Sequence, residues 1–263
     1  MSIRKRIKRW LYGSCPGIAG AFPYFGTKVY FPKGSLSFQL AVEHGVFEIA
    51  NVELLRKLCR PHSYFFDVGA NLGLISLPLL QSIAGCKVVS FEPSPNSLPW
   101  LSRTVAESTY GTRWTLVPKA VGATESVAEF SLSSPELGLY DGLQPTRRAA
   151  EVQRVSVAVT TLDVEWDRLG RPDVSVMKVD VEGGELDVLR GGSRCIQTCR
   201  PYVLLEWNAV NMAPYHRAPE SILSFAAEIK YCLFSVPKLQ SVSNAAELRL
   251  QMMETETFLL GPL

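Results

Sequence analysis

The sequence predicts an α/β fold, a Rossmann-like, doubly wound, mostly parallel seven-stranded sheet with an added antiparallel edge pair. Three observations predict it. Seven short apolar runs are bounded by turn residues, as strands are. Stretches of helical character separate most of them, the alternation that builds a parallel sheet. Two further segments alternate apolar and polar residues and read as an antiparallel pair.

In chain order the runs are YFFDV (64–68), KVVSF (87–91), WTLVP (114–118), SVMKVD (175–180), YVLLEW (202–207), YCLFSV (231–236) and TFLL (257–260). The first five are apolar at nearly every position, which suits a sheet covered on both faces. Helical stretches fall at 72–83, 97–108, 182–190 and 219–230, and the alternating pair at 126–132 and 152–162. Residues 1–60 read as an N-terminal extension, partly helical and basic at its start. Residues 61–263 read as one domain, which a chain of 263 residues can accommodate.

Composition narrows the partners. The chain is 47% hydrophobic and 20% charged, and 27 basic against 25 acidic residues leave a net charge of +2. No nucleic-acid partner is expected from that balance, and no basic face interleaved with aromatics stands out beyond the first ten residues. MSIRKRIKRW places five basic residues beside Ile3, Ile7 and Trp10 at helical spacing. Residues 1–12 are therefore either a solvated helix or a weak contact with an anionic membrane surface. No apolar region of secretory type follows, and no run approaches the roughly 18 apolar residues of a membrane span. The six cysteines form no C-x-x-C pair, which implies packed, reduced thiols and a cytoplasmic setting.

The first strand ends in FDVGANLG (66–73) and leads into a helix. Gly69 permits a tight turn and Gly73 a close helix-to-sheet approach, beside an anion-friendly helix start. Glu92, 19 residues beyond Gly73, stands at the tip of the second strand, where a carboxylate accepts both ribose hydroxyls. A pyrophosphate would want glycine where Asn71 stands and no charge at Asp67. A ribose, an ammonium and a cationic sulfur suit this loop better, which favours S-adenosylmethionine over a nicotinamide dinucleotide. On the fourth core strand Lys178, Asp180 and Glu182 alternate, so all three should project to one face. Ionisable groups there are costly unless they serve each other or a ligand.

FFDVGANLGLISLPLL, VVSFEPSPNSLPWL, VPKAVG, VTTLD, VMKVDVEGGELDVLRGG and PYVLLEWN follow one another in this order. Together they closely resemble the FkbM family of class I S-adenosylmethionine-dependent methyltransferases, over about residues 45–210. The resemblance makes Asp67, Gly69, Asn71 and Gly73 the methionine-binding loop and Glu92 the ribose clamp. It lines the adenine pocket with Lys119, Ala120 and Val121, and puts Asp180 and Glu182 near the transferable methyl. It also implies O-methylation of a hydroxyl on a sugar, glycan or other secondary metabolite.

Methyl transfer to a hydroxyl needs alignment and a base. Asp180 is the first candidate and Glu182 the second, with Lys178 beside them. Glu206 and Asn208 at the next strand tip, and His216 beyond it, are candidates for orienting the acceptor. His44 and Glu48 precede the domain and could fold over the cofactor. No metal is predicted. Two other readings remain: a nicotinamide-dependent oxidoreductase, or a non-catalytic nucleoside-binding protein of the same fold.

Overall fold

A computed structural model describes residues 3–9, 20–145 and 148–263. The first section holds α1 (Ile3–Arg9), β1 (Ala21–Tyr24), β2 (Thr27–Tyr30), α2 (Leu36–His44) and α3 (Ile49–Leu58). Next come β3 (Tyr64–Val68), α4 (Ser76–Ser82), β4 (Lys87–Phe91), α5 (Leu98–Glu107), β5 (Trp114–Val117) and β6 (Ala120–Val121). The chain continues through β7 (Ser126–Leu132), β8 (Gln153–Thr160), α6 (Leu162–Arg168), β9 (Val174–Val179), α7 (Glu185–Gly191) and α8 (Ser193–Cys199). It closes with β10 (Tyr202–Glu206), α9 (Ala209–Met212), α10 (Ser221–Glu228), β11 (Tyr231–Ser235), β12 (Gln240–Val242), α11 (Ala245–Gln251) and β13 (Thr257–Pro262).

The main sheet runs in the order β12-β11-β13-β10-β9-β3-β4-β5. Strands β10, β9, β3, β4 and β5 are parallel, and β13 enters antiparallel between β10 and β11. Strand order reverses at β3, flanked by β4 and β9, which opens a crevice at the carboxyl ends of these strands. Successive side chains on a strand point to opposite faces, so each apolar run feeds two cores. Phe65, Val88, Val176 and Leu204 face one cluster, with side chains from α2 to α5 and the β1–β2 hairpin. Phe66, Val89, Met177 and Leu205 face the other, with side chains from α6, α7, α8, α10 and α11. Burying one such side chain contributes about 2 kcal/mol.

The doubly wound fold is as expected, and two details differ. β12 adds an eighth strand, antiparallel to β11. The alternating pair does form, β7 against β8 from Ser126↔Val159 to Leu132↔Gln153, but it joins β6 in a separate three-stranded sheet rather than the main sheet's edge. The chain leaves the main sheet directly after β5, where the Lys119 N–H turns back to the Val117 carbonyl at 2.9 Å, and runs on into β6.

Two helices also start later than their apolar patterns. α4 begins at Ser76, because Asn71 and Gly73 hold positive φ ahead of it. α7 begins at Glu185, because Glu182 and Gly183 do the same.

Residues 20–60 pack into the second core. Phe31 and Phe38 stack at 4.0 Å, and Val52 and Leu55 sit in the same cluster as Phe65 and Leu77. α1 leaves Ile3 and Ile7 exposed; residues 1, 2 and 10–12 of the basic segment, and Cys15, lie outside the described residues. Cys59, Cys86, Cys195, Cys199 and Cys232 are free thiols. No helix among the described residues is long and apolar enough to cross a membrane.

Candidate functional site

A cavity of about 340 Å³ lies at the carboxyl ends of β3, β4, β9 and β10. One wall is the loop after β3. Gly69 has φ +77, and a Cβ there would lie 1.8 Å from the Asp180 carbonyl oxygen, so only glycine lets the loop cross the end of β9. Asn71, at φ +50, is held by its side chain. Its Oδ1 accepts from Ser37 Oγ at 2.9 Å, and its Nδ2 donates to Ser97 Oγ at 2.9 Å.

Glu92 lines the cavity and is buried. Its Oε2 accepts from the Asn71 N–H at 2.7 Å and its Oε1 from the Ser94 N–H at 2.8 Å. Burial raises its pKa to about 7, against the pull of those two amides. Both oxygens keep a lone pair for a ligand. Lys119, Ala120 and Val121 line the far side together with Phe130 and Leu139.

Lys178 stands where β9 meets the loop. Its Nζ donates to the Gly69 carbonyl at 3.0 Å and pairs with Asp180 Oδ2 at 3.0 Å. Burial disfavours this ammonium, yet Asp180, Asp67 and Glu48 hold its pKa above the usual lysine value. Burial would likewise raise Asp180, but Lys178 outweighs it and keeps that carboxyl below its usual range.

Three carboxylates gather beside Lys178. One oxygen each of Asp180, Glu182 and Glu206 lies within 4.8 Å of the other two. Burial, then the neighbouring Asp180, pushes Glu182 up to about 9 and Glu206 up to about 12. Arg148 Nη1 sits 3.0 Å from Glu206 Oε1, and its Nη2 pairs with Glu256. Lys178 and Asp180 share one strand face as expected. Glu182 does not follow that alternation, because β9 ends at Val179 and Glu182, at φ +59, enters from a turn.

Of the residues singled out from sequence, Glu48, Gly69, Asn71, Glu92, Lys119, Ala120, Val121, Lys178, Asp180, Glu182 and Glu206 line this one cavity. Five do not line it. Asp67 is wholly buried behind the loop, its Oδ2 accepting from Ser76 Oγ at 2.6 Å. Ser90 Oγ lies 2.9 Å from Ser76 and accepts from Trp114 Nε1 at 2.9 Å, so a tryptophan–serine–serine chain anchors the aspartate. Gly73 faces Trp114 and Leu101, where a Cβ would lie 2.7 Å from the indole. Asn208 caps α9 and donates to Glu206 Oε1 at 3.0 Å, so it orients a lining residue. His216 is exposed on a left-handed turn, and His44 is exposed as well.

A family model described as the methyltransferase FkbM domain matches residues 67–233. The chain belongs to the FkbM methyltransferase family. Methyltransferase sdnD of Sordaria araneosa is 30% identical over 159 residues, 49% of this chain and 60% of that protein. Hexuronic acid methyltransferase AglP of Haloferax volcanii is 25% identical over 158 residues, 60% of this chain and 61% of that protein. The chain thus spans about three-fifths of the length of these curated relatives. The crystal structure of methyltransferase FkbM from Methylobacillus flagellatus KT superposes with a TM-score of 0.46 at 16% identity, covering 85% of this chain and 54% of that one.

The cavity of this FkbM-family chain also holds residues that sequence reasoning passed over. Asp141, Leu139 and Leu143 come from the loop between β7 and β8, and Arg148 and Glu256 from segments with no motif. Glu185 does not line it, but shapes it: its Oε1 accepts from the Val181 N–H at 3.1 Å and the Gly183 N–H at 3.0 Å. Spacing gave a hint only for Glu185, which shares its motif with Asp180 and Glu182.

Proposed function

We propose that this protein is an S-adenosylmethionine-dependent O-methyltransferase acting on a hydroxyl of a sugar or similar polyhydroxyl metabolite. The observation that carries the reading is the acidic side chains among the cavity's described lining residues, seven against three basic ones. Asp180 is held ionised beside Lys178, while burial keeps Glu182 and Glu206 protonated at neutral pH. An ionised carboxylate there favours a ligand with a sulfonium and an ammonium group, and the lining offers no excess of basic groups to hold the two charges of a pyrophosphate. The shape agrees: a glycine-only crossing, a buried carboxylate at the β4 tip and an apolar far wall fit amino acid, ribose and adenine in turn.

When bound, S-adenosylmethionine supplies an electrophilic methyl group. The protein's own residues then divide the work. Glu92 accepts the ribose hydroxyls while two backbone amides hold it rigid. Ala120 and Val121 pack against the adenine. Lys178 ties the loop to Asp180 by touching both. Asp180, the carboxylate kept ionised by that lysine, accepts the proton of the acceptor hydroxyl. Glu206, steadied by Asn208 and Arg148, orients the acceptor. One relative, a hexuronic acid methyltransferase, supports a sugar acid as the first acceptor to try.

Calorimetric titration with S-adenosylhomocysteine tests the cofactor. Wild type should bind, and Glu92→Ala should weaken binding at least about tenfold, the cost of charge-assisted hydrogen bonds to a buried carboxylate. Absence of heat with wild type, with heat from NADH, would overturn the reading. Isotopic methyl transfer to a panel of uronic acids and neutral sugars then identifies the acceptor.

A further inference from the structure

Three carboxylates meet where β9 and β10 end. Asp180 continues β9, Glu206 ends β10, and Glu182 arrives from the turn that Glu185 locks through the Val181 and Gly183 amides. One oxygen from each lies within 4.8 Å of the others. Lys178 reaches Asp180 and Arg148 reaches Glu206. Glu182 is different. It is 5% exposed, it lines the cavity, and its Oε2 has no hydrogen-bond partner among the described residues. A buried carboxylate oxygen with no donor is costly and calls for a positive partner within the cavity.

We propose that Asp180, Glu182 and Glu206 bind one hard divalent cation, of the Mg2+, Mn2+ or Ca2+ class, in the cavity where β9 and β10 end. The donor set selects the class: all three ligands are carboxylates, with no histidine or thiol to favour zinc or copper. The spacing agrees, since oxygens bound to one cation by bonds of about 2.1–2.4 Å lie roughly 3 Å apart when adjacent and 4–5 Å when opposite, within the 4.8 Å limit of this cluster. With one oxygen from each residue, three carboxylates would leave several of the roughly six to eight positions that such a cation takes open toward the cavity for water or an acceptor oxygen. The site uses only this chain's side chains and does not depend on the cofactor proposed above.

Electron paramagnetic resonance of Mn2+ with the full chain, stripped of metal and free of other ligands, tests it. Wild type should take up one Mn2+ per chain, displaced by excess Mg2+ or Ca2+. Glu182→Gln and Asp180→Asn should each weaken uptake at least tenfold, with circular dichroism unchanged. Two results would overturn the proposal. Wild type could leave Mn2+ free up to millimolar concentration, in which case the carboxylates share protons instead. Uptake could also be the same in both variants, which would put the ion elsewhere. S-adenosylhomocysteine titration of the metal-free wild type reports cofactor binding on its own, so failure of the cation site and failure of the cofactor reading are distinguished. If either variant does not fold, the wild-type titration still decides.

Discussion

At Gly69 two separate penalties meet, and a second glycine lets them be measured apart. Gly69 and Gly170 both hold left-handed backbone, at φ +77 and +81. A Cβ at Gly170 meets nothing within 4 Å, so Gly170→Ala should cost only the left-handed strain, about 1 kcal/mol. A Cβ at Gly69 runs into the Asp180 backbone, which cannot step aside without shifting β9. Gly69→Ala should therefore cost about 3 kcal/mol or more in urea unfolding, and lose ligand binding as well.

Glu92 carries the second residue-scale expectation. Burial raises its pKa to about 7, with Asp141 and Lys178 as the charged groups facing it. Its folded pKa exceeds the unfolded one, so the folded chain binds the extra proton between about pH 4.5 and 7, and stability contributed by that proton is lost as pH rises through 7. Ligand affinity runs the other way, because the ionised form accepts both hydroxyls best. S-adenosylhomocysteine should bind more tightly at pH 8 than at pH 6 by up to about tenfold, and Glu92→Gln should flatten the profile.

Among the elements, legibility followed burial. β3, β4 and β10 were readable because both faces are covered, and an uninterrupted apolar run has few other uses. The β7–β8 pair was readable from its alternation, but its neighbour was not, since alternation fixes a face and says nothing of which sheet lies beside it. The wall between those strands was invisible because a side-chain hydrogen bond, without periodicity, builds it. Asp141 holds that wall: Oδ1 accepts from the Ser133 N–H and Oγ, both at 2.7 Å, while Oδ2 accepts from Ser94 Oγ at 2.5 Å and Asn96 Nδ2 at 2.9 Å. Asp141→Ala should release the segment carrying Gly138 and Leu139. Limited proteolysis should then cut between residues 133 and 150 faster, and S-adenosylhomocysteine affinity should fall about tenfold, with a smaller effect for Asp141→Asn.

For the whole molecule, the sequence reads residues 1–60 as an extension ahead of the domain, because that section carries no motif. The packing argues that residues 20–60 belong to the core. Phe38, Val52 and Leu55 are at most 2% exposed and share a cluster with Phe65, Leu77 and Leu204, while the Tyr30 N–H donates to Thr104 Oγ1 at 3.0 Å. The same section reaches the cavity through Ser37, Phe47, Glu48 and Asn51. A chain of residues 61–263 would bare to water the part of that sheet face that α2, α3 and the β1–β2 hairpin cover, and lose a wall of the site. It should aggregate or bind a hydrophobic dye, melt without a cooperative transition, and bind no S-adenosylhomocysteine. A chain of residues 20–263 keeps those contacts and should bind within about threefold of the full chain, since a change under 1 kcal/mol is all that removing α1 should produce. Cooperative melting and ligand binding by residues 61–263 would instead make residues 20–60 an accessory layer over a domain that folds alone.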